Sequence, residues 1–555
     1  MSLRISMGLL SIVLAGAFFA AQPKADTKDW MACTAMPGRA CVLDRALDAS
    51  RAMATDSWRV NALIAIAAAQ AAAHRRRETA AVSEDAVQML SVVADRRWRA
   101  NAIGRIAAAQ SRAGLTTEAA VTIGDALQII QSLGDDNGIR VFTDFDLVAM
   151  ARDQAEAGNF SEAMRVVQAI TSEHLRARAM VAVARGQARA GDLTAAQRTA
   201  RLVARLDAAE ALKSIGDAQV QAGLRREAAT TWAEASSSLP RLRPSSLSLH
   251  AELELLVSIA QSQAKAGLLQ DARVSFDRAL QAAQSDFPVI NMAPPSAVQR
   301  IDAVIAVAEA EASSGMSGEA VQAFALAQRL VAALGQEDLR SGFWGDDAEW
   351  RRQWPAYAFA ALAAGQARAG LAEYANAAIE AAMPLAGTIP ERGDLILPGR
   401  ARVLSLVASA HASAGNVAAV TQIIPQLEQG WHRAEPIKAL AKAGHVTEAL
   451  RLAAVEDESE RAFILRSIAM EPSNASQLPQ IKEIATSIRD GYSRALALGA
   501  VAQAQARAGL RSEAGQTIAE VARIAGEIKQ DTSRRQTTLA VVIDELCAFA
   551  SELPD

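Results

Sequence analysis

The chain has 555 residues, 51% of them hydrophobic and 21% charged, with a formal net charge of −4. That balance excludes a disordered polyelectrolyte and gives no electrostatic reason to expect a nucleic-acid partner. Ala is the commonest residue while Phe, Trp and Tyr together supply 4%, which excludes a core built on large rings and predicts closely packed helices, since Ala is the best helix former.

Residues 1–25 place one cation, Arg4, before an apolar run from Met7 to Ala21 and a polar stretch of small residues. This is the order of a secretory signal peptide. The run is shorter than the ~20 residues that cross a bilayer as a helix, so a cleaved segment is expected and no membrane span remains after cleavage. The expected address is periplasmic or secreted, in a Gram-negative envelope. Residues 26–57 form an N-terminal cap in which Cys33 and Cys41 flank the turn Met36-Pro37-Gly38. In an oxidising compartment that turn brings the two close enough for a disulfide. Cys547 reads as a small apolar residue of the last helix.

From about residue 58 to 530 one phrase recurs, as in IAAAQSRAGLTTEAA around Gly114, VARGQARAGDLTAA around Gly191 and VAQAQARAGLRSEA around Gly509. Twelve anchors align: His74, Gly114, Gly158, Gly191, Gly223, Gly267, Gly315, Gly370, Gly415, Gly444, Ser476 and Gly509. The shortest intervals cluster near 32 or 33 residues, a period that marks a solenoid. Ahead of each anchor, apolar and small residues share one face of a helix. The anchor ends that helix as a left-handed C-cap, and an acid four residues on (Glu118, Glu162, Glu227, Asp271, Glu319) opens a second helix at the positive end of its dipole. A Gln four residues before the anchor recurs in eight units and is expected to be a buried amide bonded to turn or neighbouring backbone. An Arg fifteen before it (Arg59, Arg99, Arg176, Arg300, Arg400, Arg494) is expected to pair with acidic starts of adjacent helices.

The unit resembles a tetratricopeptide repeat. The apolar and small pair, the turn glycine, the Glu-Ala opening the second helix and a large residue later in it (Trp232, Phe276, Phe324, Ile379, Ile518) fall where that family has them. Gln replaces the family's aromatic near the end of the first helix, and the closing Pro is mostly absent, so the unit is an Ala- and Gln-rich, TPR-like variant. The resemblance implies an all-α, right-handed superhelical solenoid of about twelve antiparallel hairpins, each stacked on its neighbours. Loops rich in Pro, Ser and Gly are inserted near 236–250, 285–297, 335–355 and 386–400, and residues 531–555 are expected to be a C-terminal capping helix.

No G-x-S-x-G, P-loop, H-E-x-x-H, paired C-x-x-C or dinucleotide-binding glycine fingerprint occurs, and the six histidines are scattered. The chain is therefore read as non-enzymatic, without cofactor or metal. In the family, first-helix residues off the core stripe line an inner groove. Carried over by the shared glycine, these include Arg112, Arg152, Arg185, Arg189, Lys265 and Arg368, a basic bias suited to an acidic or extended protein segment. A solvated face without a ligand is the other reading. Phe343, Trp344, Trp350, Trp354 and Tyr357 crowd aromatic residues into the longest insertion. They either contact a protein or glycan or pack the insertion onto the helices beneath it. The expected function is a protein–protein interaction scaffold of the cell envelope, with carbohydrate or peptidoglycan recognition through residues 343–357 as the alternative.

Overall fold

The computed structural model describes residues 37–53, 56–91, 93–133, 139–203, 205–239, 249–285, 296–334, 353–389, 399–427, 430–527 and 532–553. The signal-like segment, Cys33 and most of each insertion, including Phe343, Trp344 and Trp350, lie outside the described residues. Among those described there are 26 α-helices, two short 3-10 segments and no strand.

Among the described residues, helix α1 (Arg39–Arg51) precedes a succession of paired helices. They are α2 (Asp56–Ala72) with α3 (Arg76–Leu90), α4 (Arg96–Arg112) with α5 (Thr116–Gln131), α6 (Ile139–Glu156) with α7 (Phe160–Ala169), and α8 (Glu173–Arg189) with α9 (Leu193–Ala200). Next come α10 (Arg205–Gln221) with α11 (Arg225–Ser238), α12 (Leu249–Lys265) with α13 (Leu269–Ala283), α14 (Ser296–Ser313) with α15 (Ser317–Ala332), and α16 (Gln353–Arg368) with α17 (Ala372–Ala386). The last four are α18 (Arg400–Ser413) with α19 (Val417–Ile423), α20 (Gly430–Lys442) with α21 (Val446–Ala453), α22 (Glu458–Ala469) with α23 (Leu478–Thr486), and α24 (Gly491–Arg507) with α25 (Arg511–Glu527), followed by α26 (Thr532–Glu552).

The turn inside each hairpin follows from its glycine. At Gly114, φ is +74°; its N–H donates to Ser111 O at 3.0 Å and the next N–H, of Leu115, donates to Gln110 O at 2.9 Å. These bonds satisfy carbonyls that the helix end would otherwise orphan. All ten anchor glycines adopt positive φ, and His74 adopts +56° in the same role. Ser476 departs from the expectation: it lies in the 3-10 segment Pro472–Gln477 rather than in a left-handed turn.

The small residue seven before the anchor sits beneath the large residue of the second helix. Gly216 shows why: a Cβ there would lie 2.4 Å from Nε1 of Trp232, whose indole N–H donates to Lys213 O at 3.2 Å. Trp232, Phe276, Phe324, Ile379 and Ile518 are all buried, and Ala fills most of the remaining core. All eight recurrent Gln side chains are buried. Among the described residues their bonds go to side chains: Thr199 donates to Gln187 and Ser275 to Gln263, each at 2.8 Å, and Ser111 and Asn159 donate to Gln154 at 2.9 and 3.5 Å. Arg176, one of the recurrent arginines, differs from expectation. Arg176 donates to the carbonyls of Ile170 and Thr171 at 3.1 and 3.2 Å, closing the end of the preceding second helix instead of pairing with an acid, because those terminal carbonyls carry the negative end of a dipole.

The even-numbered helices touch their even-numbered neighbours all the way along the array, whereas most neighbouring odd-numbered helices barely meet. The even helices therefore form the inner layer, where the path is shortest. The two ends do not stay apart as in an open superhelix. Helix α26 packs on α24 as the next inner helix, then on α2, the first inner helix, and α1 covers α26 as its outer partner. Nε of Arg39 donates to Leu553 O at 2.6 Å. The array thus closes on itself, with α26 and α1 forming the closing pair. Burial explains the closure: Leu43 on α1, and Leu546 and Phe549 on α26, are fully buried, each worth about 1.5–3 kcal/mol against exposure. Glu545 of α26 receives hydrogen bonds from Gln503 at 2.7 Å and from Arg466, tying the closing helix to two inner neighbours.

Candidate functional site

The inner wall is lined by even-helix residues off the core stripe, where the sequence placed its basic candidates. Arg112, Arg189 and Lys265 are exposed, with no ion pair among the described residues. The others are engaged: Arg152 pairs with Asp153 at 3.0 Å, Arg185 with Glu210 at 3.8 Å, and Arg368 reaches Glu309 at 3.1 Å. The last two pairs bridge neighbouring inner helices, as does Arg97 with Asp146 at 2.6 Å, so the wall is less basic than a count of its arginines implies. Trp354 is 4% exposed and packs on Val298, with Tyr357 edge-on at 5.9 Å. Trp354 offers no face to a partner; it fastens the start of α16 onto α14.

One register of the wall has a different character. Thirteen residues before their anchors, five successive inner helices carry Asp302, Tyr357, Arg402, Trp431 and Phe463. The Tyr357 hydroxyl donates to Asp302 Oδ2 at 3.4 Å, with the Arg402 charge nearby. Burial pushes the Asp302 carboxyl up to about 7 despite the Tyr357 hydrogen bond, and burial with the nearby Asp302 charge raises the Tyr357 hydroxyl. His432 lies behind Trp431, ring centroids 3.5 Å apart; burial and the Arg402 charge hold it down to about 4, so it is neutral at neutral pH.

At the end of this row the wall opens into a concave pocket of about 940 Å³ spanning α16, α18, α20 and α22. Trp431 and Phe463 line it and are 49% and 53% exposed. Lys438 places Nζ 4.9 Å above the Phe463 ring and pairs with Glu435 at 2.5 Å. The floor is Ala and Ser, including Ser409, Ser413 and Ala439, which keeps the backbone within reach of a bound molecule. Sequence reading missed this site because it was drawn to the crowding at 343–357. The signal was the shared offset of Trp431 and Phe463 from consecutive anchors.

Among the described residues no group of three or more His, Cys, Asp or Glu is placed to hold a metal ion, and no helix is long and apolar enough to cross a membrane. Cys41 is disulfide-bonded and Cys547 is a free thiol, which burial pushes up to about 12.

Fold and site define an all-helical repeat protein with a pocket in its inner wall. No family model matches the chain, and neither does any curated protein. Two solved structures align with it at low similarity. Ton1535 from Thermococcus onnurineus NA1 is 13% identical, over 82% of this chain and 94% of that one, with a TM-score of 0.21. A circular tandem repeat protein with novel repeat topology and enhanced subunit contact surfaces is 12% identical, over 88% and 98%, with a TM-score of 0.18.

Proposed function

We propose that this chain is an exported, non-enzymatic, TPR-like binding scaffold that holds an extended segment of a partner protein against its inner wall. The observation that carries the reading is the wall itself, a continuous surface of inner helices on which Arg112, Arg189 and Lys265 stand exposed and uncommitted. These three cations, without an ion pair among the described residues, favour an acidic segment, bound less tightly as salt rises. The signal-like N-terminus supports an envelope address, and the disulfide at Cys41 supports an oxidising compartment.

The test is site-specific photo-crosslinking in the native cell. Probes at Arg189 and Lys265 on the inner wall are expected to capture a partner, while probes at the exposed outer residues Val121 and Val274 are not. With the probes moved to the neighbouring exposed inner-wall positions Glu156 and Gln221, the triple reversal R112E/R189E/K265E should abolish the inner crosslinks without loss of helix content. Crosslinks confined to the outer positions, or inner crosslinks that survive the reversal, would discard this reading.

A further inference from the structure

The pocket at Trp431 and Phe463 lies in another sector of the wall from Arg112, Arg189 and Lys265 and calls for another ligand. We propose that it is a carbohydrate site, which seats a neutral oligosaccharide of two or three rings against the open face of Trp431. Three observations lead there. First, the repeat hardly uses aromatic residues, yet two large rings from successive units stand half exposed in one pocket. One face of Trp431 rests on His432, which fixes the indole and leaves the opposite face to the pocket. A rigid indole face with polar groups around it suits a ring that is apolar on one side and wet at its edge.

Second, the charges are balanced. Arg368, Arg402, Lys438 and Lys442 oppose Glu435, Glu460 and Glu471. An acidic peptide would meet three carboxylates and a basic one four cations, so neither finds complementary potential. A polyhydroxylated ligand donates to the carboxylates and accepts from the cations, using both sets. Lys442, Glu460 and Glu471 have no ion-pair partner among the described residues and are available for this. Third, the volume of about 940 Å³ falls in the range of ~300–1,000 Å³ typical of small-molecule sites, too small for a folded domain.

Isothermal titration of the full mature chain with triacetylchitotriose and cellotriose, beside an acidic and a basic aromatic pentapeptide, tests the assignment. At least one trisaccharide is expected to bind, with an affinity that changes less than about twofold between 50 and 500 mM salt, because the ligand carries no charge. Trp431→Ala should weaken it at least tenfold, Trp431→Phe less, and the half-exposed position means that neither should lower the unfolding midpoint. Saturation-transfer NMR on the same complex should place the sugar C–H groups nearest the protein. The proposal is overturned if neither trisaccharide binds, if Trp431→Ala binds as tightly as the parent, or if only a peptide binds and salt weakens it.

Discussion

His74 does the work of a glycine without the freedom of one. Its backbone is held at φ +56°, a region that costs an L-residue roughly 1–2 kcal/mol, and its side chain is exposed, so nothing it touches repays the strain. His74→Gly is therefore expected to stabilise the protein by about 1 kcal/mol, after allowance for the extra entropy of an unfolded glycine; urea unfolding measures it. Glu311 is the complementary case. It occupies the register where eight other units bury Gln, is 1% exposed, and is pushed up to about 7 by burial and by the charges of Glu319 and Asp277. A carboxyl raised in the folded state leaves stability intact below its unfolded value near 4.5 and removes it as pH climbs through 7. Glu311→Gln should thus add about 1–2 kcal/mol at pH 8, discounted for partial solvation, and almost nothing at pH 4.5. Unfolding curves at the two pH values would show whether the gain is pH-dependent.

At the scale of the helix pair, the fit of Trp232 over Gly216 sets the spacing of α10 and α11. Gly216→Ala would drive a methyl into the indole and is expected to cost about 1–3 kcal/mol, whereas the same change is already native in most other units. A lowered thermal midpoint with unchanged helix content is the expected readout. The pair is also the scale at which the sequence is most legible. A turn glycine, its two reciprocal bonds and the acid beyond it are settled by residues within one or two turns of each other, so their spacing alone reports them. Ser476 shows the limit, since Pro472 three residues after α22 imposes a 3-10 segment that alignment on the anchor could not foresee. The pocket was harder to read because Trp431 and Phe463 belong to different units and come to line one cavity only once α20 and α22 stack. Trp354, conspicuous in sequence, is buried because its i, i+3 partner Tyr357 and the facing Val298 enclose it.

At the scale of the molecule, the closure was invisible to any local pattern: Arg39 and Leu553 bond across a separation of 514 residues, and neither α1 nor α26 carries a turn glycine to betray its place in the register. Their proximity makes a direct prediction. A chain permuted to join residue 553 to residue 37 through a short linker, with new ends between Ser238 and Leu249, should fold to the same helix content and melt within a few degrees of the parent. Failure to fold would mean that the ends meet less intimately than the Arg39 bond indicates. The shared unit also acts as a counter. An open array can lose or duplicate a hairpin and simply become shorter or longer, but here one hairpin more or fewer would carry α26 out of reach of α1 and leave two apolar faces without cover. The geometry of the seam therefore fixes the number of units at which the array can close.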